Sequence, residues 1–259
     1  MNIKRSFLII IILLTASYAM SQRPSDQSYW TGGTALTLPD NRFEVRLFGH
    51  SGYGITDRLE ISAHPIMFWL MPQVKVKYRW SGKEDLILTS EHELNYPTLL
   101  LNVLSRKGIG GMISPEFNFP QMISLYNGLL VTKKISRNSL LTGKTGIIFA
   151  IRTGDIDERS TIDLPVIYPR FATYYHIPVI NPGIDFRGKL FSSIGGQIAA
   201  ECFIVPAADE NFFFENKGLL TWTLKTSWQF LAGYRLCYGT YPFGSQWHLL
   251  PAFEVIAGF

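Results

Sequence analysis

The sequence predicts an all-β protein, an antiparallel transmembrane β-barrel of about 12 strands, within a range of about 10–14. Three observations carry that expectation. Charged residues make up only 17% of the chain and hydrophobic residues 47%, whereas a soluble surface carries roughly 25–35% charge. Beyond residue 21 no apolar run reaches the ~20 residues of a membrane-spanning helix. Segment after segment instead alternates apolar and polar side chains, the period-two pattern of a strand between two different surroundings. In lipid, a closed barrel is the other structure that satisfies all its main-chain polar groups.

The chain opens as a secretory signal peptide. Lys4 and Arg5 precede the apolar run Phe7–Leu14, and small residues follow at Ala16, Ser17, Ala19 and Ser21, a pattern that predicts cleavage after Ser21. The expected organisation is a signal peptide over 1–21, an N-terminal periplasmic segment over 22–40 and an outer-membrane barrel over 41–259. Removing Lys4 and Arg5 lowers the formal charge from +4 to +2. That small excess is spread along the chain, and no basic run suggests nucleic acid. Cys202 and Cys237 are too few for a disulfide framework or a closed zinc site. They can pair in an oxidising compartment or serve as two small apolar side chains.

The alternation is clearest in Gln73–Trp80, where Val74, Val76, Tyr78 and Trp80 oppose Gln73, Lys75, Lys77 and Arg79. Phe43, Val45 and Leu47 likewise oppose Arg42, Glu44 and Arg46, and Leu59, Ile61 and Ala63 oppose Arg58, Glu60 and Ser62. Similar faces recur in 219–227, 228–238 and 247–259. A soluble β-sandwich also alternates. Here, however, Trp80, Trp228, Tyr238 and Trp247 stand near strand ends, where aromatic rings suit the membrane interfaces. The opposite faces are charged or small.

Strands are expected near 41–48, 57–64, 72–81, 86–95, 98–105, 126–136, 140–152, 183–191, 194–205, 217–224, 228–238 and 246–259. Long connections, including 49–56, 106–125 and 153–182, then fall on the outer side. Short ones, such as 137–139 and 225–227, fall on the periplasmic side, the usual asymmetry of such barrels. Leu99-Leu100-Leu101 and Ile147-Ile148-Phe149 do not alternate, which leaves a buried helix open in that region.

No catalytic, cofactor or metal site is expected. Gly49-His50-Ser51-Gly52-Tyr53 lacks the last glycine of a nucleophile elbow and its strand–turn–helix context. Glu91 and Glu93 share one strand face with His92 on the other, without metalloprotease spacing. Asp155, Asp157, Glu158 and Asp163 crowd one loop but do not form an EF-hand pattern. The functional lead is therefore the row of lumen-facing charges: Arg42, Glu44, Arg46, Arg58, Glu60, Lys75, Lys77, Arg79, Glu91 and Glu93. Lys75 and Lys77 are expected to face Glu91 or Glu93 across a turn, and Arg46 to pair with Glu60. Such a lumen is either a charged pore or a salt-bridged plug.

The final stretch Phe253-Glu254-Val255-Ile256-Ala257-Gly258-Phe259 resembles the β-signal by which Gram-negative outer-membrane barrels are recognised for insertion. It departs from the usual pattern at Ala257, where an aromatic is common. The resemblance covers the last strand and implies Phe253 and Phe259 as insertion-signal residues. It also implies the barrel-assembly machinery as a partner and outer-membrane lipid as the surroundings. Thr34–Pro39 through Gly54–Glu60 is similar to the openings of uncharacterised barrels, with a strand, a Gly-rich loop and a return strand. Three functions follow in order: a porin-like channel or transporter for small solutes, a structural or assembly partner working through its outer loops, and a lipid-modifying enzyme.

Replacing Phe259 with Ser is expected to lower the inserted yield and leave protein for degradation. Quantifying the heat-modifiable form in outer-membrane fractions checks this; wild-type yield would remove Phe259 from assembly.

Overall fold

The computed structural model describes residues 30–83, 85–108, 113–160, 162, 164–209, 211–224, 227–241 and 244–259. The signal peptide, residues 22–29, Asp163 and the turn residues 225 and 226 therefore lie outside the described residues. The strands are β1 (Phe43–Arg46), β2 (Ser51–Thr56), β3 (Leu59–Ala63), β4 (Gln73–Lys83), β5 (Leu86–Asn95), β6 (Met122–Ser136) and β7 (Ser139–Arg152). They continue with β8 (Val179–Ile180), β9 (Gly183–Phe191), β10 (Ile194–Ile204), β11 (Phe212–Leu224), β12 (Trp228–Tyr241) and β13 (Gly244–Gly258). Neighbouring strands of the wall pair antiparallel, and β13 pairs with β1 through Glu44–Gly258, Val45–Ala257 and Arg46–Ile256. Both β8 and β9 lie between β7 and β10. They are two pieces of one wall strand, so the closed barrel has 12 strands.

The expected strand number holds, but two assignments differ. Residues 51–56, expected as part of an outer loop, form β2. Its Gly52 and Gly54 face inward and are buried, because the N-terminal segment runs against them. A Cβ on Gly54 would lie 1.9 Å from the Pro39 carbonyl oxygen. Glycine is therefore required by close approach of another backbone. Residues 98–105, expected as a strand, instead contain helix α1 (Thr98–Leu104) with Leu101 buried. The Thr98 hydroxyl accepts the Met122 N–H at 2.9 Å, which ties the helix to the top of β6.

Turns at 57–58, 137–138 and 192–193 cluster at the end carrying Phe43 and Phe259, hereafter the near end. The connections 96–121, 153–178 and 205–211 cluster at the far end. Long loops at one end and tight turns at the other match the expected asymmetry.

The two faces of the wall separate as the alternation requires. Outward side chains such as Leu125, Leu129, Phe186, Ile198, Leu220, Leu249 and Phe253 are exposed although apolar. Inward ones such as Thr89, Thr132, Thr142, Gln197 and Gln229 are buried although polar. Aromatic pairs mark both rims, with Tyr78–Trp80 at 4.9 Å and Trp222–Phe230 at 5.9 Å near one end and Tyr238–Trp247 at 4.6 Å at the other. This is the architecture of a transmembrane barrel, apolar toward lipid and polar toward the lumen.

Val76 sits on the outer face of β4, opposite Ile61 and His92. An arginine there costs about 2–4 kcal/mol if it lies near the bilayer midplane. Val76→Arg should reduce folded, heat-modifiable protein on gels, whereas Arg79→Gln, on the inner face opposite Thr89, should still insert. Equal yields from the two variants would refute the assigned faces.

Candidate functional site

The lumen has a floor. Residues 30–40, expected as a periplasmic segment ahead of the barrel, lie inside it, with Thr34 and Ala35 fully buried. The segment has no strand partner of its own, so its main-chain groups are met by inward side chains of the wall. The Ala35 N–H donates to Thr132 Oγ1 at 2.7 Å, and Thr89 Oγ1 donates to the Ala35 carbonyl at 2.5 Å. The Leu38 N–H donates to Glu60 Oε2 at 2.9 Å. Lys77 Nζ donates to the Leu36 carbonyl at 2.7 Å and to the Thr31 carbonyl at 3.3 Å. On the opposite wall Arg187 Nη1 donates to the Trp30 carbonyl at 3.4 Å, while Trp30 packs with Leu219, Leu231 and Ile256. The floor thus spans from β9–β13 to β4–β6. These bonds give the buried main-chain groups of Ala35 and Leu38 the partners that a low-dielectric interior demands.

A second obstruction comes from the far end. The connection 153–178 turns inward through the short helix α2 (Tyr168–Phe171) and the 3-10 turn Ala172–Tyr174. Tyr174 donates its hydroxyl to Ser124 Oγ at 2.8 Å. Phe171 and Tyr174 pack with Leu101 of α1 and with Met122 and Ala150. Tyr168 joins Phe213 and Tyr241 in a ring cluster with centroids 5.5–5.7 Å apart. Arg170 binds Glu215 and lies 3.6 Å from Glu201, which also pairs with Lys144. Among the described residues no cluster of acidic side chains able to hold a metal ion converges here. Both carboxylate oxygens of Asp157 are taken by Arg159, and its pKa falls to about 2 because of that hydrogen bond. Asp155 is exposed.

Between floor and ceiling lies a chamber of about 490 Å³. Arg46, Lys75, Lys77, Arg187, Lys217 and Arg235 line it together with Glu44, Glu60, Glu91 and Glu254. The charges are arranged mostly as pairs. Lys75 lies 3.2 Å from Glu91 and 3.1 Å from Glu93, as the alternation of β4 and β5 predicts. Lys77 faces Glu91 in register but forms its ion pair with Glu60, at 3.7 Å. The expected Arg46–Glu60 pair does not form: Arg46 binds Glu44 on its own strand, and the floor intervenes at Glu60. Arg187 meets Asp185 at 2.9 Å, and Arg235 meets Glu215 at 3.4 Å.

Of the other expected lumen residues, Arg42 sits over the Trp30 ring at 5.4 Å. Arg79 stands opposite the buried Thr89 on the inner face. Arg58 is a correction. It falls in the β2–β3 turn and is exposed at the near end, because β2 ends at Thr56 and the strand expected from 57 begins at Leu59. Phe253 faces outward, and Phe259 exchanges main-chain hydrogen bonds with Phe43 at 2.8 and 3.0 Å. His92 points outward to Asn127 Oδ1 at 2.8 Å. Sequence reasoning missed Arg187, Lys217, Arg235 and Glu254, which line the chamber, and the inward partners Asp185 and Glu215 that hold Arg187 and Arg235. Their signal was present as charges at every second position of 183–187 and 215–217.

The fold and site define a transmembrane barrel with an obstructed, charged lumen. No family model matches the sequence, and no curated protein matches it. Among solved structures it is similar to a KdgM porin in complex with disordered oligogalacturonate, at 6% identity and TM-score 0.41 over 84% of this chain and 94% of that one. It is also similar to a bacterial polysaccharide outer membrane secretin, at 11% identity and TM-score 0.45 over 83% and 69%. A third is OmpT, an outer membrane protein of Vibrio cholerae, at 11% identity and TM-score 0.41 over 91% and 71%.

Lys77 holds floor and wall together, so its loss should be costly. Lys77→Met leaves the Glu60 carboxylate buried without its cation, a change typically costing about 3–5 kcal/mol. Unfolding in urea from detergent should show a lower midpoint, and Lys77→Met/Glu60→Leu should recover most of it. An additive double variant would show that the pair is not coupled.

Proposed function

We propose that the protein is an outer-membrane channel for small polar solutes, closed at rest by its own floor and ceiling. The observation that carries this reading is the chamber: a charged, solvent-sized space in the middle of a barrel whose exterior is apolar. Polar lumen faces tune selectivity where water and solute pass. The floor is held by hydrogen bonds from wall side chains to an irregular segment, without a strand ladder. Such a segment can leave while the wall stays intact, and conduction requires that displacement. Outer-membrane residence follows from the lipid-facing belt, the aromatic rims and the signal-peptide pattern. The insertion role of Phe253 and Phe259, and the assembly machinery as partner, belong to the same proposal.

Planar-bilayer recording tests it. The mature chain should give infrequent small openings, and Lys77→Met, which loosens the floor, should open more often. Selectivity is best probed at Lys217. Among the described residues it is a lining cation without a carboxylate at ion-pair distance, so replacing it strands no acid, unlike Lys75 or Lys77. Lys217→Gln should shift the reversal potential towards cation preference. A bilayer silent with both the mature chain and Lys77→Met would overturn the channel reading.

A further inference from the structure

The wall is not equally tall all round. Strands β1, β2 and β3 have 4, 6 and 5 residues, against 15 in β13. β13 pairs with β1 over Ile256–Gly258, and the Leu47 N–H reaches the Val255 carbonyl at 3.1 Å. Beyond that point, among the described residues, Trp247–Phe253 pair with β12 alone. The Val255 carbonyl faces β1, so the two-residue period turns the main-chain groups of Phe253, Pro251 and Leu249 to the same, open side. Pro251 brings no N–H to that edge, where proline is tolerated.

This edge lies at bilayer depth. Trp247, Leu249 and Phe253 are exposed on the outer face. From Ala257, opposite Trp228, to Trp247 the strand covers about 34 Å at ~3.4 Å per residue. Tilted by about 40°, that is ~25 Å of height, the full apolar band of such barrels. An open strand edge in hydrocarbon is tolerated only where it lines a water-filled cavity, and the chamber reaches it. Inward Leu250 and outward Phe253 both line that space.

Across the gap stand the β1–β2 turn and the connection 64–72. Phe48 meets Phe253 with ring centroids 5.6 Å apart. The connection exposes Ile66, Trp69 and Leu70 and meets several of its main-chain N–H groups internally. His64 Nδ1 accepts the N–H groups of Ile66 and Met67, and the His64 carbonyl accepts that of Phe68.

A row of inward residues leads from the open edge into the chamber. Leu250 stands opposite Arg235, and Arg235 opposite Lys217. Arg235 shares Glu215 with Arg170. We propose that this gap is a lateral portal for a single-chain amphiphile with an anionic head, drawn from the surrounding bilayer. Its head docks against Lys217 and Arg235. Its chain runs out past Leu250, parting the Phe48 and Phe253 rings, into hydrocarbon. The portal does not depend on conduction through the barrel.

Dodecyl phosphate titrated calorimetrically into the mature protein in phosphatidylcholine nanodiscs tests the proposal, with empty discs subtracted. One saturable site is expected. Lys217→Gln should weaken it at least tenfold, and Lys217→Arg should retain it. Leu250→Trp, which fills the path, should weaken it comparably. Heat-modifiability on gels establishes that each variant is folded. Dodecyltrimethylammonium should show no saturable site. The proposal is overturned by the absence of a site or by equal binding of the cationic probe. It is also overturned if inorganic phosphate binds as tightly with Leu250→Trp having no effect, which would mark a chamber anion site without side entry. A stoichiometric dimer cross-linked through β13 edges that excludes the probe would assign the edge to a second copy.

Discussion

Main-chain hydrogen bonding in hydrocarbon is the constraint on which this structure rests. No water reaches the bilayer core, so each strand of the wall needs a partner on both sides. Most of the circumference meets this with long ladders, such as the fourteen residue pairs from Trp228–Ala257 to Tyr241–Gly244 between β12 and β13. The closing seam is far weaker. β1 contributes three register pairs to β13, strengthened by Leu47 and by the Phe43–Phe259 exchange. The barrel closes near one end and leaves an edge above, so the same constraint that dictates a barrel also shapes its opening.

The short hairpin is compensated from inside. Part of its inner face lies against the N-terminal floor, where Gly54 lets that backbone approach and Gly52 makes room for the Leu38 side chain. Glu60 and Lys77 then serve two partners each, one another and the main chain of the floor. Buried ion pairs are weak sources of net stability, since desolvation consumes most of their attraction. They confer position. A floor fixed by polar contacts has one seat, whereas an apolar segment would slide over an apolar wall.

The outer surface was legible in the sequence because lipid imposes one rule along the whole chain. β4 displays it fully, with Val74, Val76 and Tyr78 outward and Lys75 and Lys77 inward. The inner face was legible only where it meets the chamber. In β7 the alternation fades at Ile147-Ile148-Phe149, since inward Ile148 and Ala150 pack against the inserted connection, as a protein core would. Where the plug touches the wall, both faces are apolar and the period vanishes. β2 was hidden for a related reason: the glycines demanded by the floor read as a loop. The Leu99-Leu100-Leu101 run belongs to α1, whose apolar side covers the same inserted connection.

Floor and portal are two consequences of one shortened sector. Lowering β1–β3 removes wall at the far half of the membrane and so exposes the β13 edge. It also brings Arg46, Glu60 and Lys77 close to the near end, where they can hold the N-terminal segment. A barrel with full-length strands there would need a longer segment to plug it and would have no side entry. The charges divide accordingly. Those low on the wall are bound to the floor and to each other, while Lys217, higher and in line with Leu250, remains uncommitted among the described residues. Its position is the one in the chamber where an incoming anion would replace water rather than displace an existing carboxylate. A ligand arriving from the side would meet that uncommitted cation with the floor in place, whereas a solute crossing the barrel needs the floor to move.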